Sequence, residues 1–264
     1  MQRPSRDLPS QWIDVEGGPT KIGSNDEDHP EEWPVRTVTL APYRISPYAV
    51  TNAEFAAFID DTGHVTEAER YGWSFVFGGF LPDDFEPTAA VADAPWWRQV
   101  HGADWAHPEG PQSSYAGRER HPVVHVARLD ASAYAAWAGA RLPTEAEWEH
   151  AARGGLEGQP FPWGDELEPG GVHRMNVWQG TFPHHNTEAD GWAGTCPVDA
   201  YEPNAYGLFN TTGNVWEWCA EDVSRGGSYL CHASYCRRYR VSARQPQAPD
   251  DSSGNCGFRL AADV

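Results

Sequence analysis

Glycine and proline recur along the whole sequence and limit the length of any regular element. The 264 residues include 26 Gly and 22 Pro, together with 13 Trp, 10 Tyr and 10 Phe. Because Gly and Pro both disfavour the interior of a helix, the long regular helices of a bundle are not expected. Aromatic side chains bury large areas and can anchor irregular loops. The composition therefore predicts a packed globule with many such loops.

The sequence is strongly acidic, with a formal net charge of -19 at pH 7. Nucleic-acid binding depends on Lys and Arg that neutralise phosphates, so no nucleic-acid partner is expected. The charge is compatible with a cationic partner, such as an Arg-containing peptide, or with bound metal cations. It is equally compatible with acidic residues that only keep the surface soluble.

The sequence contains no apolar segment of the roughly 20 residues that cross a bilayer. The N-terminal residues also lack the apolar core of a secretory signal peptide. We therefore expect no membrane partner and a cytoplasmic location. Because that compartment is reducing, structural disulfides are not expected among the five cysteines.

Periodicity and capping signals predict a few short elements within one domain, residues 12–264, preceded by a disordered arm at residues 1–11. Strands are predicted at 12–15, 35–40, 121–126 and 257–261. Helices are predicted from Thr51 to Gly63, from Ala131 to Ala138 after an Asp130 cap, and from Thr144 to Gly154. Residues 64–120 show no sustained period, so they are predicted to form long loops anchored by aromatic residues.

Two cysteines lie close together in the segment 225–240, RGGSYLCHASYCRRYR. Cys231 and Cys236 are followed by three arginines, and nearby positive charge lowers a thiol pKa. The thiolate is both a nucleophile and a metal ligand. The pair can be interpreted as a disulfide, as zinc ligands, as a thioredoxin-like redox pair or as a two-coordinate soft-metal site.

The soft-metal interpretation fits the residues best. A disulfide would be unusual in the cytosol, zinc would need two further ligands, and a thioredoxin-like pair has the spacing Cys-x-x-Cys in a βαβ unit. Cu(I) prefers thiolate ligands, and two of them are enough. The other cysteines are predicted to be small buried core residues: Cys196, Cys219 and Cys256.

Histidines and oxygen-bearing residues carry weaker signals. His121 and His125 lie four residues apart on a predicted strand, where they would share a face, and we interpret them as structural. His232, between the two cysteines, is a secondary candidate for a functional role. A Ser-His-Asp triad is not supported, because the sequence has no Gly-x-Ser-x-Gly motif.

Two loops carry oxygen ligands of the kind that Ca²⁺ takes. Asn176 and Asp190 bracket one loop, and Asn210 and Glu217 bracket another. Hard cations bind carboxylate, amide and backbone carbonyl oxygens. Asn and Gly are also what any turn contains, so the residues alone leave both interpretations open.

Several motifs resemble the formylglycine-generating-enzyme, or sulfatase-modifying factor, family. They are RLPTEAEWE (141–149), AARGG (151–155), PWG (162–164), NTTGNVWEW (210–218) and GFR (257–259). The segment GGSYLCHASYCRRYR is similar to the active-site segment of the formylglycine-generating members, which carry two cysteines at this spacing. Residues 121–149 and 176–192 match the same subgroup, and the resemblance covers nearly the whole chain after Trp12.

The resemblance implies a single α+β domain with a C-type-lectin-related fold, low in regular secondary structure. It implies an oxidase that uses O₂, Cu(I) and a thiol reductant. Its substrate would be an unfolded sulfatase peptide, Cys-x-Pro-x-Arg, whose cysteine becomes Cα-formylglycine. Cys231 and Cys236 would bind Cu(I), and Ser228 would lie beside the metal where oxygen is handled.

The resemblance also implies two structural Ca²⁺ sites. The first would be formed by the side chains of Asn176 and Asp190 with the backbone of Val177 and Trp192. The second would be formed by the side chains of Asn210 and Glu217 with the backbone of Gly213 and Val215.

The sequence departs from the family pattern in three places. The segment between Trp218 and Arg225 is shorter than the usual loop, which predicts a trimmed surface excursion or a shifted strand before Ser228. Gln247 stands where the family carries an Asn near the substrate groove, and residues 17–23 replace a Gly-Gly-x-Phe-x-Met-Gly segment. The first two departures concern peptide specificity more than the copper site.

Two alternatives belong to other functional classes. A non-catalytic ligand-binding module of the same fold would leave the cysteine pair unexplained. A non-haem iron sulfoxide synthase would need an additional iron-binding helical domain, for which this chain has no room.

Overall fold

Short helices and strands alternate through the part of the chain that the structure describes. The structure is a computed structural model that describes residues 11–264, so residues 1–10 of the predicted arm lie outside it. The α-helices are α1 (Asn52–Thr62), α2 (Glu67–Tyr71), α3 (Arg128–Trp137) and α4 (Glu145–Arg153). The strands are β1 (Ile13–Val15), β2 (Gly18–Ile22), β3 (Arg36–Leu40), β4 (Tyr43–Ala49), β5 (Trp73–Phe77), β6 (Ala90–Val91), β7 (Ala94–His101), β8 (Gly180–Thr181), β9 (His185–Asn186), β10 (Trp216–Trp218), β11 (Val223–Arg225), β12 (Arg244–Pro246) and β13 (Cys256–Asp263). The predicted α+β class is confirmed.

A six-stranded mixed sheet forms the centre of the molecule, in the order β1-β4-β13-β10-β11-β12. β13 lies between β4, to which it is antiparallel, and β10, to which it is parallel. β11 pairs antiparallel with β10, so a tight connection at residues 219–222 replaces the longer loop expected of the family. The trimmed excursion therefore leaves a regular β-hairpin that leads directly to Ser228. Smaller sheets are formed by β5-β7-β6, β2-β3 and β8-β9.

Helices α1 and α3 pack on the central sheet through aromatic side chains. Phe55 of α1 stacks on Tyr134 of α3, with ring centroids 5.8 Å apart, and both rings contact Phe258 of β13. These residues belong to the main core cluster. Thr51 caps α1 in a capping box with Glu54, and Gly63 ends it in a left-handed conformation, as the sequence predicts.

Buried charges behind the sheet are paired. Arg259 of β13 is fully buried and binds both carboxylate oxygens of Glu217, at 2.5 and 2.7 Å. Arg225 of β11 binds Glu145 at 2.8 Å and also contacts the carboxylate of Glu149, both on α4. Ionised side chains in an apolar interior are stable only when paired in this way. The Arg225 contacts fix α4 against the strand that precedes Ser228.

The prediction of long loops at residues 64–120 is wrong. This stretch contains α2, β5, β6 and β7. Helix α2 is a single turn with its own capping box, Thr66 with Glu69, and it is too short to show a helical period. β5 pairs with β7 along its whole length. Its aromatic residues lie on one face and are partly or fully buried, and Ser74 and Val76 on the other face are also buried, so no alternation of exposed and buried residues marks the strand.

The predicted strand at 121–126 is also wrong. Only Pro122 forms an isolated bridge, to Thr51, and proline cannot donate to a strand ladder. His125 has a left-handed backbone conformation, with φ of 59°, which ends any extended run.

The start of α3 also differs from the prediction. The helix begins at Arg128, and Asp130 is its third residue rather than its cap. The carboxylate of Asp130 accepts a hydrogen bond from the backbone N–H of Ala127 at 2.9 Å. The other predicted strands and the helix after Thr144 are present, each within two residues of its predicted start.

Among residues 11–264, none of the helices is both long enough and apolar enough to span a membrane.

Candidate active site

Two glycines carry the chain from β11 into the candidate site. Gly226 and Gly227 have φ of +92° and +77°, a region that favours glycine. A Cβ at Gly227 would lie 2.6 Å from the backbone oxygen of Arg238, and one at Gly226 would lie 2.9 Å from that of Thr211. The double glycine therefore allows the segment before Ser228 to pack directly against the segment after Cys236.

The two cysteines predicted to act together lie side by side. Their Sγ atoms are 2.9 Å apart, and both are free thiols. Cys231 is 1% exposed, whereas Cys236 is partly accessible. The backbone N–H of Cys236 donates to the carbonyl of His232 at 2.8 Å, a turn that brings the second thiol back over the first.

The two thiols have opposite pKa shifts. Burial raises the pKa of Cys231 well above its usual value. The hydrogen bond from Cys231 lowers the pKa of Cys236, and the positive charges of Arg238 and Arg240 lower it further. The shifts therefore favour Cys236 over Cys231 as the thiolate. A thiolate next to a thiol is a chemically sensible start for a soft-metal site.

Ser228 lies beside the cysteine pair and is fully buried. Its backbone N–H points to Cys231 Sγ at 3.4 Å, and its Oγ accepts a hydrogen bond from Asn255 Nδ2 at 2.9 Å. Ser253 Oγ in turn donates to Asn255 Oδ1 at 2.8 Å. This arrangement fixes the Ser228 hydroxyl next to the thiols.

Asn255 was not among the residues predicted for the site. It immediately precedes β13, and the Trp216 N–H donates to its carbonyl at 2.8 Å. The parallel register of β10 and β13 thus places Asn255 against Ser228. No motif or spacing in the sequence marks a pairing of this kind.

A cavity of about 590 Å³ opens above the thiols. Aromatic rings line it at Phe75, Trp97 and Tyr235, and acidic side chains at Asp28 and Asp251. Such a cavity is large enough for several residues of an extended peptide. Its walls offer apolar surface together with carboxylates that attract a cationic side chain.

Gln247, the second departure from the family pattern, lines this cavity. Its backbone N–H donates to the carbonyl of Asp222, in the tight connection of the β10–β11 hairpin, at 3.2 Å. Its Oε1 lies 4.0 Å from Cys256 Sγ. The shortened connection and the altered groove residue are therefore in contact, so the two departures change one wall of the cavity together.

An acidic segment, residues 26–32, holds the arginines that follow Cys236. Arg240 binds both carboxylate oxygens of Glu32, at 2.7 and 3.2 Å, and this pair is buried. Arg238 binds Glu31 at 3.1 Å. The positive charges near Cys236 are thereby fixed in position.

The residues predicted for the first Ca²⁺ site lie together. The carboxylate of Asp190 accepts hydrogen bonds from the backbone N–H groups of Val177 at 3.0 Å and Trp192 at 3.2 Å. Burial raises the pKa of Asp190. Asn176 Oδ1 is buried without a hydrogen-bond partner among the described residues. A half-buried carboxylate and an unpaired amide oxygen are both ligands that suit a hard cation.

The residues predicted for the second Ca²⁺ site offer fewer unpaired oxygen atoms to a cation. Asn210 Oδ1 is also buried and unpaired within the described range. Both carboxylate oxygens of Glu217, however, already accept hydrogen bonds from Arg259, and Trp148 Nε1 donates to one of them at 2.7 Å. Gly213 packs against the backbone of Asn176, and Val215 follows in the same turn, so the two sets are neighbours.

The remaining candidates lie apart from the thiols or have local roles. His232 contacts only Ser234 among hydrogen-bonding side chains of the described residues, at 2.8 Å. His121 contacts Thr195, whereas His125 contacts Ser74, so they do not share a strand face. Burial raises the pKa of the three remaining thiols, in agreement with inert core positions: Cys196, Cys219 and Cys256.

Comparison with known proteins agrees with the resemblance of the motifs. The family model for the sulfatase-modifying factor enzyme 1-like domain matches residues 1–264. A formylglycine-generating enzyme of Thermomonospora curvata is 51% identical, covering 99% of this chain and 96% of that protein. One from Streptomyces coelicolor is 55% identical, covering 88% and 82%.

The fold is also found among solved structures. PvdO from Pseudomonas aeruginosa superposes with a TM-score of 0.66 at 26% identity, covering 96% of this chain and 94% of that one. The chain therefore belongs to the sulfatase-modifying factor family, to which formylglycine-generating enzymes belong.

Proposed function

We propose that this protein is a copper-dependent oxidase that converts a cysteine in an unfolded sulfatase peptide, Cys-x-Pro-x-Arg, to Cα-formylglycine. The observation that carries the proposal is the pair of free thiols, 2.9 Å apart, at the floor of a peptide-sized cavity. Family membership and relatives at 51% and 55% identity support it.

The proposed reaction consumes O₂ and two equivalents of a thiol reductant. The peptide CH₂–SH group becomes an aldehyde and releases its sulfur as H₂S. Both oxygen atoms of O₂ are reduced to water, and the two reductant thiols become a disulfide. The oxidised substrate is a thioaldehyde, and one water molecule supplies the aldehyde oxygen when it is hydrolysed. Atoms and electrons balance with no further reactant.

Cys231 and Cys236 would hold Cu(I), which when bound would supply O₂ activation and a binding position for the substrate thiolate. Cys236 is ready to bind a metal because its neighbours favour the thiolate. Ser228, fixed by Asn255, presents a hydroxyl beside this position.

The acidic rim of the cavity supports an Arg-containing peptide as substrate. Asp28 and Asp251 both line it. Exposed carboxylates attract a guanidinium group and orient it by bidentate hydrogen bonds. The net charge of -19 adds long-range attraction for a basic peptide, which weakens as salt is added.

We also propose that the first set of oxygen ligands binds a structural Ca²⁺. The unpaired Asn176 Oδ1 and the half-buried Asp190 carboxylate support this site. A second Ca²⁺ at Asn210 and Glu217 is proposed on the family resemblance and the unpaired Asn210 Oδ1. Binding there requires Glu217 to share its oxygens with Arg259.

The test is formation of the aldehyde. Protein loaded with Cu(I) is incubated with O₂, a thiol reductant and a peptide containing Cys-Thr-Pro-Ser-Arg, and the product is identified by mass spectrometry and aldehyde capture. We expect wild type to form the aldehyde and Cys231→Ala and Cys236→Ala to form none. Cys196→Ala, which removes a buried thiol outside the cavity, is the matched control and should remain active.

Equal aldehyde formation by wild type and Cys231→Ala would overturn the proposal. A wild-type protein that binds the peptide without oxidising it would instead indicate a non-catalytic peptide-binding protein of the same fold.

A further inference from the structure

Three aromatic side chains form a row that leads outward from the cavity above the thiols. Phe75 of β5 lines this cavity, and its ring centroid lies 5.0 Å from that of Trp73. The Trp73 centroid lies 6.1 Å from that of Tyr71, the last residue of α2. We call Phe75, Trp73 and Tyr71 the aromatic row. The candidate site as described so far gives no role to its two outer rings.

The end of α2 places Tyr71 in line with the strand. Gly72 follows the helix with φ of +73°, a left-handed conformation that favours glycine. The Gly102 N–H donates to the Gly72 carbonyl at 2.9 Å, which holds this turn against the end of β7. The chain therefore passes from helix to strand within one residue, and the Tyr71 ring stays next to the Trp73 ring.

The row becomes more exposed with distance from the cavity. Phe75 and Trp73 are partly exposed, whereas Tyr71 is 50% exposed. Aromatic residues are enriched at interfaces because they bury a large area on contact. The outer ring is therefore available to a molecule that extends out of the cavity.

Carboxylates surround the exposed ring. The Tyr71 hydroxyl donates to Asp250 Oδ2 at 2.5 Å. This hydrogen bond raises the pKa of Tyr71, and the negative charges of Asp250, Glu67 and Asp251 add to the shift. Asp251 also lines the cavity above the thiols. The acidic surface thus continues from the cavity to the outer end of the aromatic row.

Two of these carboxylates have no cationic partner among residues 11–264. Within that range the side chain of Asp250 accepts only the Tyr71 hydroxyl, and that of Asp251 accepts only the Ala248 N–H, at 3.1 Å. Glu67 differs, since it pairs with Arg70 at 3.5 Å. The described residues therefore leave two negative charges beside the ring without compensation.

We propose that Tyr71 and Asp250, with Asp251 between them and the cavity, form an outer subsite for a lysine or arginine side chain of the polypeptide substrate, at a position outside Cys-x-Pro-x-Arg. The inference rests on the proposed function, in which an extended peptide lies in the cavity. A cationic group stacks on an exposed aromatic ring and also pairs with carboxylates beside it. The same surface repels an acidic side chain.

Continuity and charge select the substrate as the occupant. The row begins inside the cavity that receives the peptide, so a bound peptide reaches Tyr71 without a separate interface. A second copy of this chain has the same net charge of -19 and would be repelled from an acidic surface. An apolar partner would desolvate Asp250 and Asp251 without pairing them.

The length of the row indicates which substrate residue reaches the subsite. An extended peptide advances about 3.3 Å per residue. The two ring contacts, of 5.0 and 6.1 Å, therefore correspond to about three residues beyond the one that packs on Phe75. We expect the basic residue about three positions outside the motif, on the side where the peptide leaves the cavity past Phe75.

The first test measures peptide binding to the copper-free protein, so it does not depend on oxidation. The peptides contain Ser-Thr-Pro-Ser-Arg, with Ser in place of the reacting Cys. They carry Arg, Ala or Glu either three positions before this motif or three positions after it. At one of these two positions we expect Arg to bind about fivefold more tightly than Ala in isothermal titration calorimetry, and Glu to bind less tightly. Added salt should reduce the difference.

Variants assign this preference to the subsite. Tyr71→Ala and Asp250→Asn should each remove most of the preference for Arg over Ala, whereas Tyr71→Phe keeps the ring and should keep part of it. Because Tyr71 is exposed, its removal should leave the fold intact, which a thermal melt checks. Glu157→Gln is the matched control for charge, since it removes one exposed carboxylate that pairs with Lys21. It should leave the preference as in wild type.

The same peptides with Cys restored test the subsite during oxidation. The preference for Arg should appear in KM and not in kcat, because the subsite contacts the peptide away from its reacting thiol. Equal binding of the Arg and Ala peptides at both positions, or an undiminished preference in Tyr71→Ala, would overturn the subsite even if wild type makes aldehyde. A wild type that makes no aldehyde from any of these peptides would refute the proposed function instead.

Discussion

At the scale of single residues, the environment shifts the pKa values of two identical side chains in opposite directions. Cys231 is enclosed by apolar neighbours and the backbone of Ser228, whereas Cys236 faces Arg238 and Arg240. Burial raises the pKa of Cys231, whereas fixed positive charges lower the pKa of Cys236. Residues 26–32 contribute by holding those arginines.

Selective alkylation should reveal this difference in the copper-free protein. At neutral pH, iodoacetamide should modify Cys236 before Cys231, because only the thiolate reacts and only Cys236 is accessible. Arg238→Gln removes a positive charge that lowers the pKa of Cys236, so the rate profile should move to higher pH. Peptide mass spectrometry across a pH series measures both effects.

Arg237→Gln is the control for this experiment, since Arg237 is exposed and adjacent in sequence. It should shift the profile less than Arg238→Gln does. Modification of Cys231 first would contradict the assignment of the thiolate.

The buried pair of Arg259 and Glu217 should contribute strongly to stability. Removing one partner of a buried ion pair costs about 3–5 kcal/mol, because the other charge remains unpaired. We therefore expect Arg259→Met to lower the free energy of unfolding by about this amount in urea titrations. Lys21→Met breaks the exposed pair with Glu157 and should cost less than about 1 kcal/mol.

Adding Glu217→Gln to Arg259→Met should restore part of the stability, since no charge is then left unpaired. Equal losses for the Arg259 and Lys21 variants would show that the buried pair is not the anchor of the central sheet.

At the scale of elements, local signals predicted the helices that carry both a cap and a stop. Thr51 with Gly63 and Thr144 with Gly154 mark α1 and α4 correctly. The same signal, Thr66 with Gly72, marks α2, but one helical turn shows no periodicity. The apolar run after His121 suggested a strand, yet its valines are buried without forming a strand of any sheet.

The N-cap of α2 allows a direct test of how much capping of a single-turn helix contributes to stability. In the capping box, Thr66 Oγ1 accepts a hydrogen bond from the Glu69 N–H at 3.3 Å. We expect Thr66→Ala to lower the free energy of unfolding by about 1 kcal/mol, measured by chemical denaturation. Thr66→Ser keeps the oxygen and should cost less. A smaller loss for Ala than for Ser would exclude the cap as the source of stability.

The sequence predicted the site residues that lie together in one local motif. Cys231, Cys236 and Ser228 lie in one short segment, and the structure brings them together. Asn255 could not be predicted, because the pairing of β10 with β13 places it there. The position of His125 likewise depends on the packing of β5 against residues 252–254, which no spacing in the sequence reveals.

At the scale of the whole molecule, the proposed Ca²⁺ should stabilise the folded state by mass action. A ligand that binds only the folded protein raises its stability as its concentration exceeds Kd. We expect Ca²⁺ to raise Tm and a chelator to lower it. Asp190→Asn should reduce the shift, whereas Asp199→Asn, which removes a carboxylate paired with Arg120, should leave it unchanged.

Low pH should weaken the stabilisation of the folded protein by Ca²⁺. Because burial raises the pKa of Asp190, protons compete with Ca²⁺ at a higher pH than they would at an exposed carboxylate. Without Ca²⁺ the raised pKa means that Asp190 favours the folded state at low pH and that this contribution is lost as pH rises through the folded pKa. A Ca²⁺ shift in Tm that persists unchanged in acid would argue against Asp190 as a ligand.

The position of β13 has a consequence for how the protein is made. Tyr43 at the start of β4 pairs with Asp263 at the end of β13. The pairing of β4 with β13 therefore cannot form until more than 200 further residues have been synthesised. Until then the nascent chain exposes the unpaired edges of β4 and β10, which are templates for aggregation. Contacts this distant in sequence form slowly. The central sheet is therefore completed only after residue 263 has left the ribosomal tunnel, and the Ser228 pocket, held by Asn255, is completed with it.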